Sequence, residues 1–502
     1  VVSWSALISG YSYSHAHAHK VFDSLDDMRR EALSPNAITF TGIFKACGDI
    51  GNIGYGERMH DEIVKRRLLM ETNDVVLGTA LVGMYVKCGE LRKAQKVLEE
   101  LPVRNTASWN ALISGYIQHW QCHEAINCLD EMQIEGLCPD EVTFTCILKA
   151  CSGMKAIEKG IQIHHEIVSR KLLAKDVVLG TALVDMYAKC GVMAKAQEVI
   201  EELHVHDVVA WNALIAGYVQ HGQCHEALSI FEQMQKFHEQ CLPNVITFVC
   251  ILMACGNIGA IENGKQIHDE IVSRKLLDTD IILGTALVDM YAKCGAIVKA
   301  HEVLDILPIR NVVSWNALIS GYAQKGNCNE AFNCFEQMQT EGISPNIVSF
   351  VGILKACSST GAIDEGQRIH DVIVRGGFLE KSVVIGTALI DMYAKCGFLV
   401  KAQNLFDDLP IRNTVSWSAL ISGYAHQGQG HEALKCFDRM KREGFPPDEV
   451  IFTSILKACG STGALEKGKL IHDEIASRVL LEKDILLGTA LVDMYAKCGV
   501  PL

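Results

Sequence analysis

Proline is nearly missing from this chain, at 10 of 502 residues, and aromatic residues reach only 7%. Each shortage excludes something. So little proline, with only 21% charged residues, argues against long disordered linkers. Few aromatics beside abundant Ala, Leu, Ile and Val speak against a β-sandwich and for packed helices. No apolar run reaches the roughly 18 residues that a membrane helix needs, and nothing resembles a signal peptide. No C-x-x-C pair occurs among the 20 cysteines. A chain this long can build a core without disulfides, so a reducing or organellar compartment fits better than secretion. No Walker loop, nucleophile elbow or H-E-x-x-H is present. Basic residues are outnumbered, 46 against 59, for a net charge of −13. Taken alone, that charge predicts repulsion from nucleic acid and from anionic membranes, although one groove can differ from the total.

What is there repeats. The phrase "GTALVDMYAKCG" stands at 180–191, 284–295 and 488–499, with near copies at 78–89 and 386–397. The copies start 102, 104, 102 and 102 residues apart. Trp4, Trp109, Trp211, Trp315 and Trp417 keep the same beat, each in a "WNALISGY"-like phrase, and "ILKAC"-like segments end at Cys47, Cys151, Cys255, Cys357 and Cys459. Each unit holds three sub-units, laid out from residue 106 as 106–140, 141–176 and 177–207. Periods of this size signal a solenoid.

Each sub-unit reads as two antiparallel helices. Trp109, Leu112, Ile113, Tyr116 and Ile117 form one apolar stripe, and Ala125, Cys128, Leu129 and Met132 a second. Gly136 supplies a helix stop, reinforced by Pro139. In the short sub-unit the stripe is Leu183, Met186, Tyr187 and Cys190, ended by Gly191. A pair this small cannot cover its own apolar face, so neighbours must stack on it.

Lengths of 35, 36 and 31 with these phrases resemble the pentatricopeptide repeat family, and the three-part cycle is similar to its PLS subclass. The resemblance covers the whole chain. It implies an all-α, right-handed superhelical solenoid of five P–L–S triplets: 1–105, 106–207, 208–311, 312–413 and 414–502, the last S motif being cut short. Motifs 1–36, 37–74 and 208–244 run long, and their extra residues are expected in inter-helix turns near "SHAHAH" (14–19) and "KFHEQ" (236–240). The nearest rival, a tetratricopeptide protein-binding scaffold, shares the spacing of Trp109, Leu112 and Tyr116 but expects Gly where Ile113 stands.

The resemblance implies a single-stranded RNA ligand, one base per motif. In the family the fifth and last residues of a motif select the base and the second residue wedges against it. In P motifs the selecting pairs are Ser5 with Asn36, Asn110 with Asp140, Asn212 with Asn244, Asn316 with Asn346 and Ser418 with Asp448. In S motifs they are Thr79 with Asn105, Thr181 with Asp207, Thr285 with Asn311 and Thr387 with Asn413. The wedging positions of these motifs are Val2, Val76, Val178, Val209, Ile282, Val313, Val384 and Val415, with Ala107 the one small exception. L motifs carry Ile38, Val142, Ile246, Val348 and Val450 there, but Val249 and Val351 at fifth positions cannot hydrogen-bond and Ser382 departs from Asp or Asn, so their bases stay open. The family readout then gives 5′-A-n-A-U-n-G-C-n-A-C-n-A-G-n-3′. Asn, Asp, Ser and Thr near helix starts are also ordinary caps. What favours selection is that the pairs vary in combination while their surroundings hardly change.

Lys87, Lys189, Lys293, Lys395 and Lys497 recur in the "KCG" corner, where a lysine can meet a phosphate or simply complement the helix dipole. His60, His164, His268 and His472 each precede a Glu by two residues, the opening of the zinc deaminase signature, but its P-C-x-x-C partner is missing and a catalytic motif would not recur in every repeat. No metal or cofactor is expected, and no catalysis within these residues. The chain starts at Val1 without Met and stops at Leu502, so both ends read as cut. The subclass further implies a chloroplast or mitochondrial location and selection of C-to-U editing sites, with a deaminase domain, or a deaminase and editing-complex proteins in trans, supplying the chemistry.

Overall fold

The computed structural model describes residues 1–502 except 14–17, 70–73, 174–175, 204–206, 238–240, 279, 381, 479, 482–483 and 501–502. The expected insertions near 14–19 and 236–240 therefore lie partly outside the described residues. Among the described residues every regular element is helical.

The helices come in pairs. Thr106–Gln118 is followed by Cys122–Ile134, Glu141–Met154 by Ile157–Ser169, and Val177–Lys189 by Met193–Glu202. The same pairs recur along the chain, as in Val312–Gln324 with Cys328–Thr340 and Val383–Lys395 with Leu399–Asp408. The chain forms two compact units, Val1–Ile251 and Leu252–Leu502. Within each, a first helix packs on its own second helix and on the next first helix, and the second helix also touches that next first helix. The first helices thus make one continuous layer in each unit. This is the all-α stack of helix pairs that the sequence predicts.

Local chemistry sets the boundaries. Asp176 Oδ1 accepts from the N–H groups of Val178 and Leu179 at 2.8 and 3.2 Å, and Asp74, Asp280 and Asp484 do the same in their copies. Such caps contribute about 1 kcal/mol each. At the other end Gly191 takes φ +82°, a left-handed conformation that ends the helix. Trp315 and Trp417 are fully buried, and the Trp315 indole N–H donates to Glu341 Oε2 at 3.2 Å.

Two small-residue features explain the rigid phrasing of the repeat. A Cβ on Gly217 would come within 2.7 Å of Ala188 Cβ, so adjoining first helices approach too closely for any side chain there. The cysteines of the "KAC" and "KCG" corners meet: Cys190 Sγ lies 4.0 Å from Cys151 O and Cys294 Sγ 3.5 Å from Cys255 O. None of the 20 cysteines is in a disulfide, and burial pushes the thiols of Cys128, Cys334 and Cys436 up to about 12. The cysteines of these corners are apolar filler in the junctions.

Candidate nucleic-acid interface

Apart from Ala107, the second residue of each motif points a branched side chain at solvent. Val2, Val76, Val178, Val209, Ile282, Val313, Val384 and Val415 are 54–82% exposed, and Ile38, Val142, Ile246, Val348 and Val450 are similarly open. An exposed valine or isoleucine forgoes roughly 1.5 kcal/mol or more relative to burial. A row of them at fixed spacing is the reverse of what a solvated helix face should carry.

Beside this row lie the fifth and last residues. Ser5, Asn110, Asn212, Asn316 and Ser418 are buried. Asn110 Nδ2 donates to Asp140 Oδ1 at 2.9 Å, Asn212 Nδ2 to Asn244 Oδ1 at 3.0 Å, and Asn316 Nδ2 to Asn346 Oδ1 at 3.1 Å. Ser5 Oγ donates to Asn36 Oδ1 at 3.0 Å. Ser418 and Asp448 make no hydrogen bond to each other; Asp448 Oδ1 accepts from the Ile451 N–H at 2.8 Å. The last residues are also caps: Thr39 N–H, Thr143 N–H, Thr247 N–H and Ser349 N–H donate to Asn36, Asp140, Asn244 and Asn346. Capping and pairing therefore occur in one side chain. Both use Oδ1, which leaves Asp140 Oδ2 and the Nδ2 groups of Asn244 and Asn346 without hydrogen bonds among the described residues.

Burial works against charge on Asp140, but hydrogen bonds from the Thr143 N–H and the Asn110 amide outweigh it and hold the carboxyl below the usual carboxylate range. At neutral pH it is a pure acceptor.

The S-motif pairs are looser. Asn311 Nδ2 donates to Thr285 Oγ1 at 3.3 Å, whereas Thr79 with Asn105, Thr181 with Asp207, and Thr387 with Asn413 are not bonded to each other. Asn105, Asn311 and Asn413 cap the next helix through Ser108, Ser314 and Ser416, but Asp207 makes no side-chain cap. The Thr181 and Thr387 hydroxyls are buried and have no hydrogen-bond partner among the described residues.

In the second unit these features converge in one groove of about 760 Å³, lined by Val384, Val415 and Val450, by Thr387, Ser418 and Asn413, by Lys355 and Lys395, and by the carboxylates of Asp391, Glu449 and Asp484. Lys395 is paired with Asp391 at 2.8 Å, as Lys189, Lys293 and Lys497 are with the Asp one turn earlier; Lys87 reaches Asp49 at 2.5 Å because Gly83 replaces that Asp. The "KCG" lysines are thus half neutralised at home. Lys149 and Lys355 have no ion-pair partner among the described residues, and Lys457 Nζ rests 3.1 Å from His426 Nδ1. These three, from the "ILKAC" phrase, escaped the sequence reading although the phrase itself displays them.

A second group also escaped it. The hydroxyl at the third position of the following L motif (Thr39, Thr143, Thr247, Ser349) is buried against the fifth residue of the P motif before it. The recurrent histidines sit elsewhere: His60, His164, His268, His370 and His472 place Nδ1 2.8–3.0 Å from Tyr85, Tyr187, Tyr291, Tyr393 and Tyr495 Oη.

A family model described as the PPR repeat family matches residues 1–49, 104–153, 206–257, 310–359 and 412–461, and one described as PPR repeat matches 79–105 and 387–413. The chain belongs to the pentatricopeptide repeat family. Among its relatives, a mitochondrial pentatricopeptide repeat-containing protein of Arabidopsis thaliana is 33% identical over 498 residues, 99% of this chain and 71% of the relative. A chloroplastic one from the same plant is 36% identical over 460 residues, 91% of this chain and 73% of the relative. A further mitochondrial one, 34% identical, is matched over 48% of its length. Among solved structures, the maize pentatricopeptide repeat protein PPR10 is similar in fold, with TM-score 0.64, 19% identity, and 99% of this chain against 77% of that one. PPR10 in complex with an 18-nt psaJ RNA element gives TM-score 0.65 at 16% identity, over 94% of this chain and 78% of that one.

Proposed function

We propose that this chain is an array of five P–L–S triplets that binds single-stranded RNA and reads one base per P and S motif through the fifth and last residues named above. The observation that carries this reading is the exposed valine row set beside buried polar pairs that still hold free hydrogen-bonding atoms. A base inserted between successive second-position side chains buries their apolar surface and brings its Watson–Crick edge to the pair beneath.

The atoms left free supply selectivity. Asp140 offers Oδ2, an acceptor suited to the N3–H of uracil. Asn244 and Asn346 offer Nδ2, donors suited to the N3 of cytosine. The unpartnered Thr181 and Thr387 hydroxyls await a bond that a base can provide. Similarity to PPR10, whose complex holds an RNA element, supports the same reading.

The phosphates would meet Lys149, Lys355 and Lys457. The reading extends to site selection for C-to-U editing or other RNA processing in a chloroplast or mitochondrion, locations that the names of relatives carry. Chemistry would come from a further domain or a deaminase in trans. The test is binding to the 14-nt RNA 5′-A-n-A-U-n-G-C-n-A-C-n-A-G-n-3′ against a scrambled sequence of equal composition.

A further inference from the structure

We propose that the third-position hydroxyl of an L motif is a positioning residue for base selection by the preceding P motif, with Thr143 the clearest case. The inference rests on the base-reading function proposed above and deepens it. Thr143 is fully buried and belongs, by chain order, to the next motif. Its Oγ1 donates to Asn110 Oδ1 at 2.6 Å and accepts from the Asp140 N–H at 3.2 Å. The hydroxyl has one proton. Asp140 Oδ1, 2.8 Å away, already accepts from the Thr143 N–H and from Asn110 Nδ2, so the proton belongs to the Asn110 oxygen, which has no other donor.

That bond decides which way round the Asn110 amide lies. Oδ1 is held inward against the hydroxyl, and the amide nitrogen spans to Asp140 with one N–H left over. A flipped amide would set its oxygen 2.9 Å from the Asp140 carboxylate and leave the hydroxyl facing an NH2 group. The pair therefore presents a fixed donor and a fixed acceptor, and a base meets them without reorganisation.

The arrangement recurs with Thr247 on Asn212 and Ser349 on Asn316, both at 2.6 Å. Two natural contrasts isolate it. In the last triplet Ile451 replaces the hydroxyl, and there Ser418 and Asp448 are not joined. At three of the four S-to-P junctions the third residue is Ser108, Ser314 or Ser416, whose hydroxyls donate to the last residue's own carbonyl and do not touch the fifth residue, and at the fourth it is Ala210. Those serines share the capping bond of Thr143 without its reach to the fifth residue.

The experiment measures Kd of the full chain for the 14-nt RNA and for the same RNA with C replacing its U, which lies opposite Asn110 and Asp140. The wild type should prefer U. Thr143→Val should lower the U-to-C preference roughly tenfold, the scale of a lost buried hydrogen bond, and Thr143→Ser should keep it. Ser108→Ala removes an equivalent cap and should leave the U-to-C ratio unchanged. A Thr143→Val protein that discriminates as well as the wild type overturns the positioning role while base reading stands. A wild type indifferent to U and C overturns base reading itself, and this inference with it. Ile451→Thr gives an independent arm: it should sharpen the preference for G over A opposite Ser418 and Asp448 several-fold, and no change there counts against the proposal.

Discussion

Asn110 and Asp140 lie 30 residues apart in the chain and 2.9 Å apart in space, and their free atoms, one N–H and one carboxylate oxygen, are complementary to a uracil edge. Changing either atom should change the base. Asp140→Asn exchanges an acceptor for a donor and should move the preference at that site from U to C. Asn110→Ser should move it from U towards G. Competition binding with the four single-base variants of the 14-nt RNA reads both outcomes; a preference that stays on U in both proteins contradicts the assignment. The family resemblance named these pairs, and the structure brings Asn110 against Asp140 as it does Asn212 against Asn244. Thr143 was not legible in the sequence, because its partner belongs to the motif before its own. Nor were the histidine–tyrosine bonds, whose members lie 23–25 residues apart on different helices.

At the scale of the helix, the motif starts were legible because Asp or Asn stands before almost every first helix, and at each of these except Asp207 its side chain caps. Asp176→Ala should cost about 1 kcal/mol of stability in a denaturant titration. A change below a few tenths would show that the cap is not what begins this helix. Burial of the histidines gives the junctions a pH dependence. Burial lowers the affinity of His60 for a proton, outweighing the attraction of Asp61, Glu100 and Glu57, and it does the same for His164, His268 and His370. These residues therefore take up a proton at lower pH when folded than in the unfolded chain, where uptake begins below about pH 6.5. Stability is thus whole above that pH and falls as the pH drops through it towards the folded value. Calorimetry should find Tm falling from about pH 7 to about pH 5.5; a Tm that is flat or rises over that span contradicts it. The recurrence of H-x-E thus has a packing cause, and the "KCG" lysines have another in their ion pairs with the preceding Asp.

For the whole molecule the acidic net charge is the plainest obstacle to RNA binding, and the sequence could not resolve it because only folding sorts charges by face. Three basic side chains of the "ILKAC" phrase, Lys149, Lys355 and Lys457, stand on first helices, and Lys355 lines the groove of the second unit beside Val384 and Val415. If they meet phosphates, replacing all three by Gln should flatten the plot of log Kd against log salt by about 2, since each phosphate contact on a single strand adds roughly 0.7 to the slope. An unchanged slope would place the phosphates elsewhere. The stacked helix pairs were legible from the 102-residue beat, whereas the division into two compact units was not, since the repeat runs across it without a change of phrase.

The most direct measurement is the affinity of the intact chain, at one fixed salt concentration, for 5′-A-n-A-U-n-G-C-n-A-C-n-A-G-n-3′ and for its scrambled counterpart. Selection of bases by the fifth and last residues predicts binding to the ordered sequence more than tenfold tighter, a difference above about 1.4 kcal/mol. Equal affinity for the two RNAs would contradict it.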